Sequence, residues 1–167
     1  MKKSDNLGSA VIMCGISGSG KTHHALLLTK VGYERLSVDK LVWEKVGSDL
    51  SELPQQEKKS LFDECRQEVM TKMADYLQAG RKVVVDATHC RRSVRDNIRK
   101  ICSEINVKPT FLYCTADEEE LWRRLSQRKG EGADDLIVSR EELSQYYRGF
   151  ERPASDETDF LLAESIF

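Results

Sequence analysis

No apolar run in this chain approaches the roughly 18–20 residues that a membrane-spanning helix needs. The apolar stretch nearest the start, Ala10 to Cys14, is also too short for the core of a secretory signal. There is no CxxC pair. The five cysteines (Cys14, Cys65, Cys90, Cys102 and Cys114) are odd in number and widely spaced. That argues against a zinc or disulfide framework and for reduced thiols packed as small hydrophobes. The expectation is a cytoplasmic protein with no membrane partner. Excess charge of either sign is missing too: 26 Lys and Arg stand against 28 Asp and Glu, a formal net charge of −2. Such a balance argues against nonspecific coating of nucleic acid and leaves a local basic groove open. Internal repeats, low-complexity blocks and Pro/Gly-rich linkers are absent.

The 167 residues, 40% hydrophobic and 32% charged, suit one soluble domain over residues 1–167. Short apolar runs alternate with longer helical stretches, the pattern of a parallel α/β sheet. Strands are predicted at Ala10 to Cys14, Arg35 to Val38, Lys82 to Asp86 and Thr110 to Cys114, with a terminal fifth from Phe160 to Leu162 and Ile166 to Phe167. Helices are predicted at Lys21 to Lys30, around Leu41 to Val46, at Pro54 to Ala79, around Val94 to Ile105, and at Glu118 to Arg128. In the longest, Leu61, Cys65, Val69, Met73 and Leu77 recur every fourth residue, and Gly80 provides a stop. A last helix opens on a Ser139/Glu142 capping box and carries an inward stripe of Leu143, Tyr146, Tyr147 and Phe150.

Between the first strand and the first helix, Gly15-Ile16-Ser17-Gly18-Ser19-Gly20-Lys21-Thr22 matches G-x-x-x-x-G-K-[ST]. The glycines let the backbone turn its N–H groups inward around anionic oxygens, and the helix N-terminus adds partial positive charge. Lys21 supplies a mobile charge for the β- and γ-phosphates, and Thr22 offers a hydroxyl to Mg²⁺. ATP and Mg²⁺ are the cofactors this implies. No Asn-Lys-x-Asp segment reads guanine, and the Ser-Gly-Gly signature of transporter ATPases is absent. A short chain that opens on this loop suits a kinase acting on a hydroxyl of a small molecule or a nucleic-acid end.

Other residues fit that chemistry. Asp39 closes the second strand, at the carboxyl edge where ligands of open α/β sheets bind, and a carboxylate there can take an acceptor hydroxyl's proton. Its alternative role is an N-cap for the following helix. Asp86 ends the apolar third strand, where it can hold a Mg²⁺-bound water or orient substrate; a turn-forming aspartate is the alternative. Arg123, Arg124 and Arg128 precede a polar Gly130/Gly132 stretch, the layout of a lid at about residues 128–138 that closes on phosphates. Arg124 is expected at the nucleotide and Arg128 at the transferring phosphoryl group; a solvated helix face is the competing reading. Arg91, Arg92, Arg95, Arg99 and Lys100 form a second basic patch, for substrate or simply for solvent. His23, His24 and His89 have no metal-cage spacing.

Gly15 to Thr22, Asp39, Asp86-Ala87-Thr88-His89, Arg95, Arg128 and the Ser139 to Pro153 tail resemble the AAA_33-type small P-loop kinases, which include the kinase domain of phage polynucleotide kinase. The resemblance spans about Ala10 to Phe167. It implies a three-layer fold with a five-stranded parallel sheet of order 2-3-1-4-5, helices on both faces and a small lid. It also implies Lys21, Asp39 and Arg128 as catalytic residues, and Asp39, Asp86, Thr88 and Arg95 on the substrate side. Thr22 and Asp86 would face the metal. The chain departs from the polynucleotide kinase pattern after the second strand. Asp39 is followed by Lys40, Leu41 and Val42, without the arginine that reads a substrate phosphate, and His89 stands where many relatives have asparagine. These departures weigh against a polynucleotide 5′-hydroxyl; the expected acceptor is such an end or a nucleotide-like small molecule. A toxin- or antibiotic-type phosphotransferase and a non-catalytic ATP-binding switch are the alternatives.

Overall fold

Short strands that are apolar on both faces can be buried only if helices cover both sides of their sheet. The computed structural model describes residues 7–47, 50 and 52–166, and has this arrangement. Strands β1 (Ala10–Cys14), β2 (Glu34–Ser37), β3 (Val83–Asp86), β4 (Pro109–Tyr113) and β5 (Phe160–Leu162) form one sheet in the order β2-β3-β1-β4-β5. All four pairings are parallel. This is the order that the family resemblance implies. Helices α1 (Lys21–Thr29), α2 (Val38–Val46), α3 (Gln55–Gln78), α4 (Arg92–Glu104), α5 (Glu118–Leu125) and α6 (Arg140–Gly149) complete the chain.

Alternation along the strands divides the core. Ile12, Val83, Val85 and Phe111 face one way, onto Val69 and Met73 of α3 and Ile98 and Cys102 of α4. Val11, Met13, Val84 and Leu112 face the other way, onto Ala25 and Leu28 of α1. A third cluster joins Ile16 to Leu121 and Leu125 of α5 and Leu143 of α6. Ser37 of β2 lies opposite Asp86 of β3, and Ile12 of β1 opposite Val85 of β3. The carboxyl ends of β1, β2 and β3 are therefore in step, and the loops that leave them emerge side by side.

Several elements differ from the sequence reading. Asp39 does not close a strand and does not cap a helix. Ser37 is the N-cap of α2 and its side chain accepts from the Lys40 N–H, so Asp39 sits in the first turn with its carboxylate free of that duty. Helix α5 stops at Leu125, three residues short of Arg128. Tyr146, expected on the inward stripe of α6, is 41% exposed. Ile166 follows a 3₁₀ turn, Ala163–Ser165, instead of extending β5, and Phe167 lies outside the described residues. Among the described residues no helix is long and apolar enough to cross a membrane.

Candidate active site

The loop between β1 and α1 is shaped by backbone that only glycine tolerates. A Cβ on Gly15 would come within 2.3 Å of the Cys114 carbonyl oxygen. Gly18 (φ +85°) packs against α5, where a Cβ would meet Leu125 at 3.1 Å and the Leu121 carbonyl at 3.2 Å. The N-cap of α1 is Gly20, with φ 98°, no side-chain cap and no acidic residue in the first turn. The first amides of α1 are thus left for an external anion, as a phosphate site requires. Lys21 folds back, its Nζ donating to the Ile16 carbonyl at 2.9 Å.

A cleft of about 190 Å³ opens on this loop. Ser17, Gly18, Gly20, Lys21 and Thr22 form its floor. Asp39, Asp86, Thr88, Arg124, Arg128 and Asp134 contribute to its walls. The sequence-predicted residues from the phosphate loop, the second and third strands and the lid segment thus meet in one cavity. Ile16 and Ser19 belong to the loop but are buried behind it.

The Thr22 hydroxyl donates to Asp86 Oδ2 at 2.9 Å. Both groups are hard oxygen donors of the kind Mg²⁺ takes, beside a loop built for phosphates. Asp86 Oδ2 also accepts from Arg35 Nε at 2.9 Å and Nη2 at 2.7 Å. One oxygen of Asp86 is therefore saturated, and its other oxygen has no hydrogen-bond partner among the described residues. This arrangement fits a Mg²⁺ ion.

Asp39 has no hydrogen bond or ion pair among the described residues. Burial pushes its carboxyl above the usual range; Lys21 and Arg128 pull it back, and Asp86 and Asp134 push it further up. A carboxylate that is unpaired, desolvated and open to a cleft has the character of a general base. Arg124 reaches the phosphate loop, donating through Nη1 to the Gly18 carbonyl at 3.0 Å while Nε holds Glu120 at 2.7 Å. Arg128 donates from Nη1 to the Leu136 carbonyl at 2.9 Å and lines the cleft beside Asp134.

Arg95 is not brought to the cleft. Its side chain has no exposure, and it pairs with Glu157, which is equally enclosed. Two further arginines of the patch are likewise occupied: Arg92 binds Asp156, and Arg99 binds Glu157 and Asp159. These acidic partners come from the segment after α6, about 60 positions away in the chain. Helical spacing alone cannot anticipate them.

Two residues at the site carried no functional reading. Arg35 bridges Asp86 to Asp134, donating from Nη1 to Asp134 at 3.1 Å and from Nη2 to the same carboxylate. The period of two along β2 puts Arg35 and Ser37 on one face and Leu36 on the other, a signal that would have placed Arg35 beside the end of β3. His89 is buried at φ 48°, with Nδ1 2.5 Å from the Met13 carbonyl oxygen. Desolvation pushes its pKa down to about 4, so the ring is neutral near pH 7.

Comparison with known proteins bears on the fold and the family. No curated protein matches. The fold is similar to that of a gluconokinase from Sinorhizobium meliloti 1021, with TM-score 0.66 and 19% identity over 96% of this chain and 87% of that one. A sugar kinase from Janibacter sp. HTCC2649 gives TM-score 0.66 and 21% identity over 94% and 86% of the two chains. A chain of the Pnkp1/Rnl/Hen1 RNA repair complex gives TM-score 0.67 and 16% identity over 86% of this chain and 44% of that one. What is shared with these kinases and with the repair-complex chain is the fold. The AAA_33 family model, described as an AAA domain, matches residues 11–153, and the protein belongs to that family.

Proposed function

We propose that the protein is an ATP-dependent, Mg²⁺-requiring kinase that transfers the γ-phosphoryl group to a hydroxyl of its acceptor. The observation that carries this is the meeting of three parts in one cleft. They are an uncapped helix start behind a phosphate loop, the Thr22–Asp86 pair at 2.9 Å, and an unpaired Asp39. The loop amides and Lys21 hold the triphosphate. Thr22 and Asp86 would hold Mg²⁺, which would supply neutralisation of phosphate charge. Asp39 takes the proton of the acceptor hydroxyl. The oxygen attacks the γ-phosphorus, the bond to the β–γ bridging oxygen breaks, and ADP departs with that electron pair. Arg128 faces the charge that shifts toward the bridge. Positioning and charge complementarity do most of the work.

A non-catalytic ATP-binding switch has no use for a desolvated, unpaired carboxylate beside the γ-phosphate position, so Asp39 favours the kinase. The deciding experiment is a screen with γ-labelled ATP against nucleosides, 5′-hydroxyl oligonucleotides, sugars and amino sugars. Transfer of label to one class, abolished in Asp39→Asn, is expected. Tight ATP binding with label released only to water throughout would support the switch.

A further inference from the structure

We propose that His89 is a positioning residue for the nucleotide: its buried ring and left-handed backbone fix the end of β1 from which the phosphate loop springs. This rests on the kinase reading above and deepens it, by naming what holds the loop that would take ATP.

A loop that has to be ordered by its ligand binds that ligand less tightly, so the amides of a phosphate loop need to be aimed beforehand. One end of this loop runs into α1. The other leaves β1, and there three successive residues are each bonded to the turn after β3. The Met13 carbonyl oxygen lies 2.5 Å from His89 Nδ1. The Cys14 thiol donates to the His89 carbonyl at 3.6 Å. The Gly15 N–H donates to the Thr88 carbonyl at 3.1 Å. Gly15 opens the loop and has no side chain of its own to fix it. The turn is in its turn tied from behind. Arg95 Nη1 donates to the His89 carbonyl at 3.3 Å, and the Cys90 carbonyl accepts from the Glu151 amide at 2.9 Å. Thr88, on the near side, lines the cleft.

The carbonyls of residues 88, 89 and 90 thus serve the phosphate loop, the β1 end together with α4, and the segment after α6. Sending three successive carbonyls to different elements requires a sharp change of direction. His89 supplies it at φ 48°, a region that few side chains besides asparagine, aspartate and histidine enter readily. Backbone held there persists where its surroundings over-determine it, as they do here. The buried ring adds a bond of its own. A carbonyl oxygen only accepts, so Nδ1 carries the hydrogen that Met13 receives. Nδ1 is one bond from Cγ, and so is Nδ2 of an asparagine. An asparagine at this position therefore offers the same donor on the same backbone. An aspartate offers an acceptor in its place, and a glycine offers the backbone alone.

Those three substitutions test the proposal without knowledge of the acceptor. Calorimetry with ATP and Mg²⁺ compares the wild-type chain with His89→Asn, His89→Asp and His89→Gly, at a temperature where each is folded. Melting temperatures are recorded alongside, and hydrogen exchange of the nucleotide-free chains follows the Gly15 amide. His89→Asn is expected to bind ATP as the wild type does, with the Gly15 amide equally protected. His89→Asp and His89→Gly should bind about tenfold more weakly, the scale of one lost hydrogen bond, and exchange Gly15 faster. A ring that serves packing alone would lower the melting temperatures and leave ATP affinity unchanged, and that result would overturn the proposal. So would weak ATP binding by a folded His89→Asn, which decides the matter even where the other two variants do not fold. A wild type that fails to bind ATP would overturn the kinase reading and this proposal with it, whereas tight wild-type binding with unaltered variants overturns this proposal alone.

Discussion

Arg95 and Glu157 form a bidentate pair that water does not reach. Nε donates to Oε2 at 2.9 Å and Nη2 to Oε1 at 2.7 Å, and neither side chain has exposed surface. Arg95 Nη1 also donates to the Glu151 carbonyl at 2.9 Å, so the guanidinium ties α4 to the chain that leads into β5. Breaking a buried pair leaves one charge uncompensated. Glu157→Ala or Arg95→Leu alone should therefore cost about 3–5 kcal/mol of stability, measured by urea unfolding. The double variant should cost less than the sum, since no orphaned charge remains.

The same pair sets an acid limit. Hydrogen bonds from Arg95 hold the Glu157 carboxyl down at about 2. A free glutamate titrates at about 4.3, so the unfolded chain takes up this proton first as pH falls. The contribution is complete above the unfolded value and drains away as pH drops toward the folded one. Denaturant midpoints of the wild type should decline over that window. In Glu157→Gln the decline should be shallower and start from a lower plateau.

The phosphate loop was legible because it is local. Eight consecutive residues determine both its backbone and its charge, and the β-branched run of β3 and the every-fourth-residue stripe of α3 are equally self-contained. Arg95 was misread because its meaning depends on acids that join it only through the tertiary fold. Arg99, one turn further along α4, made the pair look like a basic face. Asp39 lines the cleft from the first turn of α2 and not from a strand end. A cap by Ser37, two residues upstream, released it from the helix-start role. Arg35 carries no functional signal in the sequence, because a lone arginine in a short strand shows no pattern until Asp86 and Asp134 stand beside it.

Loop substitutions should separate binding from folding. Lys21→Ala removes a cation whose present partner is a backbone carbonyl of its own loop, so calorimetry should show weakened ATP binding with an unchanged melting temperature. Thr22→Ala should weaken binding mainly when Mg²⁺ is present. Gly15→Ala should behave differently, because its Cβ would sit 2.3 Å from the Cys114 carbonyl oxygen. There the fold itself should be destabilised, seen as a lowered melting temperature without any ligand.

Asp39→Asn offers a stability–activity contrast. The variant keeps the shape of the side chain and loses the carboxylate proposed as base, so kcat should fall by ~10²–10⁴-fold with ATP affinity nearly unchanged. The carboxyl's pKa is raised by burial, which means the charged form is disfavoured in the folded state at neutral pH. Removing that charge should leave the melting temperature equal to or above that of the wild type. In the wild type, kcat should fall on the acid side at a pH above the ordinary aspartate range. A variant with wild-type turnover would remove Asp39 from the chemistry.

The segment after α5 is expected to act as a lid, pivoting about two fixed ends. Arg128 donates to the Leu136 carbonyl at 2.9 Å, and Leu136 is buried in the core. Between them, Asp135 Oδ2 accepts from the amides of Lys129 at 3.0 Å and Glu131 at 3.1 Å. These bonds leave a short arc, held to the sheet by Asp134 and Arg35, that can tighten when phosphate charge enters. Hydrogen exchange should therefore be uneven. The Lys129 and Glu131 amides should be protected with or without ligand, whereas those of Gly132 to Asp134 should slow only with an ATP analogue and Mg²⁺. Arg128→Ala loses a charge-assisted contact that strengthens as the β–γ bridge takes up negative charge. Its kcat should fall further than its ATP affinity, by up to ~10³-fold if the arginine stabilises the transferring group. Equal losses in both would make Arg128 a ground-state phosphate contact, and uniform exchange across the arc in both states would remove the lid.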